Sequence, residues 1–141
     1  MLYYNDNQYH LSKNKGESEM FQRYSKQREV VYDVLCNTNT HPTVDWVYDE
    51  AKKVLPEIGI ATVYRNLREL VKHGMAKVVL TPDNKEHFDA NVKQHPHFIC
   101  KSCGCVLDVT TKGHTHIAQD GFVVDSCDTT FFGTCPTCSL N

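Results

Sequence analysis

Residues 60–89 read IATVYRNLRELVKHGMAKVVLTPDNKEHFD. Val63, Leu67, Leu70 and Val71 recur at three- and four-residue intervals, which puts them on one face of a helix, and Gly74 stands where a left-handed cap ends one. The other face carries Thr62, Arg65, Asn66 and Arg68. Past the glycine, AKVVLT and KEHFD flank Pro82-Asp83-Asn84, a turn signal, so this half reads as a β-hairpin. A helix running directly into a hairpin narrows the fold to few choices.

Upstream, Ser25 is a good N-cap, and KQREVVYDVLC places Val30, Val31, Val34 and Leu35 at helical spacing. A second helix is expected over about 44–55, after the turn His41-Pro42-Thr43. It would turn Trp46, Val47, Ala51 and Leu55 inward and be closed by Pro56. Three short helices followed by a hairpin make a winged helix. Residues 1–19 are polar, without sustained periodicity, and read as a tail or a weak first helix. After Ala90 the texture changes to short strands, Cys knuckles and Gly turns, so a boundary falls near 89–94. The expected class is α+β: a winged helix over 20–89, then a small α/β domain over 90–141.

With 141 residues, 40% hydrophobic and 23% charged, the chain has the composition of a globular protein, and no apolar run approaches transmembrane length. Its first residues lack the apolar core of a secretory signal, so a cytoplasmic location is expected. Seven cysteines in that compartment are reduced thiols, and the odd number argues against a complete disulfide framework. Fifteen basic against 17 acidic residues give a net charge of -2, which by itself points to no nucleic-acid partner.

Cys100-x-x-Cys103 and Cys135-x-x-Cys138 are hairpin knuckles that together can close a tetrahedral zinc shell. Four protein ligands leave no position for water, so such a zinc is structural, holding together a domain too small to bury enough core. Cys105 reads as the start of the next strand, with an alternate-ligand role also open, and Cys36 and Cys127 as core residues. His114 and His116 have the wrong spacing for a finger and read as loop.

A second donor set lies just before the first knuckle. His95 and His97, two apart in a strand, aim their rings to one side, and Pro96 between them marks an edge strand. If the knuckle pairs Cys100 with Cys105, the same register sets His97 opposite Asp108 and brings a carboxylate to the imidazoles. Spacing alone leaves open whether His41, Asp89 or His87 joins them.

The order His41-Pro42-Thr43, Ile60-Ala61-Thr62-Val63-Tyr64-Arg65-Asn66-Leu67, Phe88-Asp89, His95-x-His97 and both knuckles resembles the ferric uptake regulator (Fur) family from about Ser25 to Cys138. That resemblance implies a dimeric, metal-dependent transcription repressor with an N-terminal DNA-binding winged helix and a C-terminal dimerisation domain. It also implies a regulatory metal site of His41, Asp89, His95, His97 and Asp108, beside the zinc of Cys100, Cys103, Cys135 and Cys138. A thiol-free set of nitrogens and carboxylates suits Fe(II) or Mn(II). Asp at 108 resembles the peroxide-sensing (PerR) branch, whereas iron-sensing members more often have Glu. In that branch peroxide acts at bound Fe(II), a ligand histidine gains oxygen, here His41 or His95, and DNA is released. Three departures from the pattern stand out: a weak first helix, Gly59 where a capping Ser is usual, and a short segment between Asp108 and Cys135 that puts the dimerisation helix in doubt.

For a winged helix on palindromic operator DNA, Arg65 can grip a guanine edge, Tyr64 and Thr62 can meet thymine methyls, and Asn66 shares their face. Arg28, Arg68 and Lys77 are expected at phosphates. No membrane and no substrate are expected beyond the metal ion and the peroxide signal. The alternatives are iron, manganese or zinc uptake regulation within the same family, or, from another class, a metallohydrolase, for which five protein ligands leave little room.

Overall fold

The protein is described from a computed structural model, which covers residues 25–112 and 117–140. The expectations for residues 1–19, His114 and His116 lie outside the described residues.

Three helices come first: α1 (Lys26–Cys36), α2 (Val44–Val54) and α3 (Ile60–Lys72). Ser25 caps α1, its hydroxyl accepting the Arg28 N–H at 3.4 Å. Gly59 occupies the N-cap of α3 without a side-chain bond. Gly74, at φ 69°, turns the chain out of α3, and the Met75 N–H returns to the Leu70 carbonyl at 2.9 Å. Val30, Val31, Leu35, Val47, Ala51, Ile58, Val63, Leu67 and Leu70 form one buried cluster.

Strands β1 (Lys77–Leu80) and β2 (Glu86–Asp89) form the expected antiparallel hairpin, with Lys77 opposite Asp89 and Leu80 opposite Glu86. Phe88 fixes it to the helices: the ring is fully buried in their core, and its N–H donates to the Pro42 carbonyl at 2.9 Å. The α1–α2 loop is thus stitched to β2.

The C-terminal part is a three-stranded sheet in the order β4-β3-β5, from β3 (His97–Cys100), β4 (Val106–Asp108) and β5 (Thr130–Gly133), followed by the short helix α4 (Pro136–Ser139). β3 and β4 are antiparallel with His97 opposite Asp108, while β5 runs parallel to β3 with Cys100 opposite Gly133. Val79, Ile99 and Val106 form a second, small buried cluster that joins the hairpin to this sheet. No helix among the described residues is long and apolar enough to cross a membrane.

Several local expectations are corrected. Trp46 is not inward but 40% exposed, because the three-helix core takes only Val47 and Ala51 as buried residues from α2. β3 is the central strand, not an edge. Pro96 fits because it precedes the first paired residue and uses only its carbonyl, which accepts the Val109 N–H at 3.1 Å. Cys36 and Cys127 are exposed rather than core. Among the described residues from 109 to 129 there is no helix.

Candidate metal centres

The first centre gathers residues from four separate pieces of chain. His41 comes from the α1–α2 loop, Asp89 ends β2, His95 and His97 enter β3, and Asp108 ends β4. One donor atom from each of the five lies within 4.8 Å of all the others. His41 Nε2 stands 3.3 Å from Asp89 Oδ2 and 2.9 Å from Asp108 Oδ1. The corresponding distances are 3.1 and 2.7 Å for His95 Nε2 and 3.5 Å to each carboxylate for His97 Nε2. For bonds of about 2.1 Å to a central ion, neighbouring donors are expected roughly 3.0–3.4 Å apart, which these spacings straddle.

The hydrogen bonds around the cluster turn its lone pairs inward. His95 Nδ1–H donates to the Lys93 carbonyl at 2.7 Å, leaving Nε2 free to coordinate. Asp89 Oδ1 accepts the Asn91 N–H at 2.7 Å, leaving Oδ2 to face the three rings. With Nδ1–H so engaged, the Nε2 of His95 is turned toward the two carboxylate oxygens, an arrangement that a shared cation would satisfy. Consistent with this, His41 Nε2 and His95 Nε2, both facing the two carboxylates, are buried without a properly directed hydrogen bond. Among the described residues the set fits a divalent cation by charge as well, since two carboxylates supply two negative charges.

Electrostatics agree. Burial pushes the Asp89 carboxyl up, but the His41 ring, the Asn91 amide and Lys77 outweigh it and hold it at about 2. Burial pulls His41 down, yet Asp89 and Asp108 prevail and raise it. His97 is lowered by burial and by the charge of His95. The two carboxylates that raise His41 are the same groups that would favour a cation held among these rings.

His41 itself has φ 51°, left-handed backbone that a histidine adopts only at a cost of about 1–3 kcal/mol. Its carbonyl accepts His87 Nδ1–H at 2.7 Å. Lys77 Nζ donates to the Lys93 carbonyl at 3.2 Å and lies 3.9 Å from Asp89 Oδ2. Sequence reasoning missed both roles, although the signals existed. His87 shares a strand face with Asp89, and Lys77 is directly opposite Asp89 in the hairpin register. Lys77, expected at a DNA phosphate, is instead turned toward the cluster.

The second centre is made of the knuckles. One Sγ each from Cys100, Cys103, Cys135 and Cys138 lies within 4.8 Å of the others, and Cys103 and Cys135 are 3.9 Å apart. Bonds of about 2.3 Å to tetrahedral zinc would set sulfurs roughly 3.8 Å apart. Gly104, at φ 74°, makes the first knuckle turn, and the Lys101 N–H joins it to the Gly133 carbonyl at 2.7 Å. The N–H groups of Cys103 and Cys135 point at the Cys100 sulfur and lower its thiol to about 5, while the Cys138 N–H lowers Cys135. Neighbouring thiols push Cys138 up to about 12, because the metal-free cluster cannot hold four negative charges. Cys105, raised to about 12 by burial and then by Cys103, is not among the four.

Of the residues expected at DNA, Tyr64, Arg65 and Arg68 are exposed on α3, with Arg68 Nη1 bonded to Glu86 Oε1 at 3.0 Å. Thr62 and Arg28 are half-buried. Asn66 is corrected: it is buried, and its amide donates to the Thr62 carbonyl one turn earlier at 3.0 Å.

A model of the Ferric uptake regulator family matches residues 19–129. The peroxide operon regulator of Bacillus subtilis is 32% identical over 122 residues, covering 83% of this chain and 84% of that one. The crystal structure of the Campylobacter jejuni peroxide stress regulator is similar, with a TM-score of 0.65 and 27% identity, over 79% of this chain and 88% of that one. The Helicobacter pylori ferric uptake regulator Fur, whose structure is described as revealing three functional metal binding sites, shares the fold with a TM-score of 0.69 and 24% identity, over 83% and 82% of the two chains.

Proposed function

The chain belongs to the ferric uptake regulator family, and from that premise we propose that it is a metal-dependent repressor that binds palindromic operator DNA as a homodimer and is released by peroxide. The observation that carries this reading is the meeting of His41 and Asp89 with His95, His97 and Asp108 around one point. Residues 20–89 act as the winged helix and residues 90–141 as the dimerisation domain. His41 and Asp89 are then supplied by the DNA-reading half, and the other three ligands by the pairing half.

In this reading the N/O set holds Fe(II) or Mn(II), and Cys100, Cys103, Cys135 and Cys138 hold structural zinc. With the N/O set filled, the angle between the halves is fixed, and two α3 helices present Tyr64 and Arg65 at the spacing of two half-sites. Arg28 and Arg68 serve at phosphates, Thr62 at a base methyl. Fe(II), held by His41, Asp89, His95, His97 and Asp108, would activate peroxide as a catalyst that returns to Fe(II), the two electrons that reduce peroxide to water coming from the oxidised ring. His41 or His95 then gains one oxygen on its ring while peroxide leaves as water, and the altered ring no longer coordinates. Release of the clamp lets the halves reorient and frees the DNA. The peroxide assignment is supported by Asp108 and by the peroxide regulators among the relatives.

The test loads the chain separately with Fe(II) and Mn(II). A palindromic operator is first recovered by selection from random duplexes with the Mn(II) form. Peroxide should abolish operator binding only in the Fe(II) sample, with a 16 Da gain in a peptide containing His41 or His95, the mass of one oxygen atom. Equal insensitivity of both samples would favour metal-uptake regulation.

A further inference from the structure

We propose that His87 is a positioning residue for the regulatory metal, holding the His41 backbone in the conformation that aims its ring at the cluster. The inference rests on the reading of the five-residue set as a metal site. His41 has φ 51° and is followed by Pro42, a combination that neither a histidine nor a residue before proline adopts readily. Some outside contact has to hold it. Two are present, and both come from β2: His87 Nδ1–H donates to the His41 carbonyl at 2.7 Å, and the Phe88 N–H donates to the Pro42 carbonyl at 2.9 Å. The next residue, Asp89, is itself in the cluster.

Three consecutive residues of one strand therefore act on the same loop, and two of the three do so without needing a metal. Phe88 acts through its backbone and cannot be altered by substitution short of proline. His87 acts through its side chain, and its Nδ1–H is available in the tautomer that donates to a carbonyl and in the protonated ring alike. Without it, the His41 carbonyl loses its partner and the peptide relaxes toward an ordinary negative φ. The His41 Nε2 then swings away from Asp108, which it faces at 2.9 Å. His87 also makes the hairpin part of the sensor, because a shift of β2 moves both Asp89 and the support of His41.

The experiment compares full-length wild type with His87→Asn, His87→Leu and His87→Ala, all holding zinc, by titration with Mn(II) alone. Asn retains an N–H at the place of Nδ1, and Leu has nearly the same shape without a donor. Leu and Ala should bind Mn(II) about 10- to 100-fold more weakly than wild type, the range for lost outer-shell partners, and Asn should recover most of that loss. The visible spectrum of the Co(II)-loaded forms should follow the same order, with Leu and Ala showing a changed coordination number at unchanged zinc content. Wild-type affinity in His87→Leu overturns the proposal, as does an Asn variant no better than Leu. If wild type itself binds no Mn(II) at this set, the metal-site reading falls along with the proposal.

Discussion

His41 Nε2 and Asp108 Oδ1 meet at 2.9 Å, although one belongs to the loop between the first two helices and the other ends a strand of the C-terminal sheet. Two like-minded acceptors do not approach so closely without a cation between them, be it proton or metal. This contact ties the two parts of the chain together through a group that can be gained or lost, and the predictions below follow from it.

Replacing His97 with Ala should empty the N/O set and leave the zinc in place. Elemental analysis should give one zinc per chain with an unchanged circular dichroism spectrum. Operator affinity should fall roughly 5- to 150-fold, the usual span for linked sites. Loss of zinc in this variant would refute the division between the two centres.

Cys138→Ser should cost the zinc and, with it, the C-terminal sheet. Among the described residues the C-terminal sheet adds Ile99 and Val106 to a small buried cluster with Val79 of the hairpin, too few to hold it without a staple. Amide exchange should accelerate in β3 and β5 while α1–α3 stay protected, because their cluster is separate. Uniform protection in both parts after zinc loss would show that the sheet stands unaided.

With zinc bound at the four thiolates and the N/O set free of metal, stability should peak near pH 6.5. The raised His41 contributes stability that is complete below the ordinary 6.5 and is lost as pH climbs through its folded value. The lowered His97 contributes stability that is complete above 6.5 and is lost as pH falls through its folded value. Asp89, held at about 2, adds stability present above 3.8 and lost as pH falls toward 2. Mn(II) replaces the proton on His41, so the loaded form should lose the decline on the alkaline side. Urea midpoints of the zinc-loaded chain over the pH range in which zinc stays bound would show this, and a steady rise through 6.5 with the N/O set empty would contradict it.

Arg65→Ala and Asn66→Ala, adjacent on α3, should separate cleanly. Arg65 is exposed and should cost about 1–3 kcal/mol of discrimination at one base position. Asn66 is buried against the Thr62 carbonyl, so its loss should lower stability by about 1 kcal/mol without changing base preference. Operator competition assays and denaturant melts of both variants distinguish the two effects.

What can be read directly in the residues is what depends on short range. The pairing of His97 with Asp108 follows by counting outward from the Cys100–Cys105 knuckle, and the helix over Ile60–Lys72 follows from its apolar stripe. His41 is different: nothing within its own segment marks it, because tertiary packing of the loop on β2 brings it to the cluster, and only family likeness points to it. Asn66 and Trp46 are misread for a related reason. Periodicity names a stripe but not its width, and here the core extends to Asn66 on α3 while stopping short of Trp46 on α2. Pro96 misleads because a rule about strand interiors is applied to a residue just outside one.

The parallel pairing of β5 with β3 also sets an order in time. Once Phe88 has left the ribosome the helical core has all its members, and once Asp108 has followed, so has the His/Asp set. The thiolate shell stays half-built until Cys135 and Cys138 arrive. Nascent chains, which emerge at about 5–20 residues per second, thus have the switch before the brace that steadies it. In a cell short of zinc, the species that accumulates would keep its helical core while the strands that carry His97 and Asp108 go unbraced.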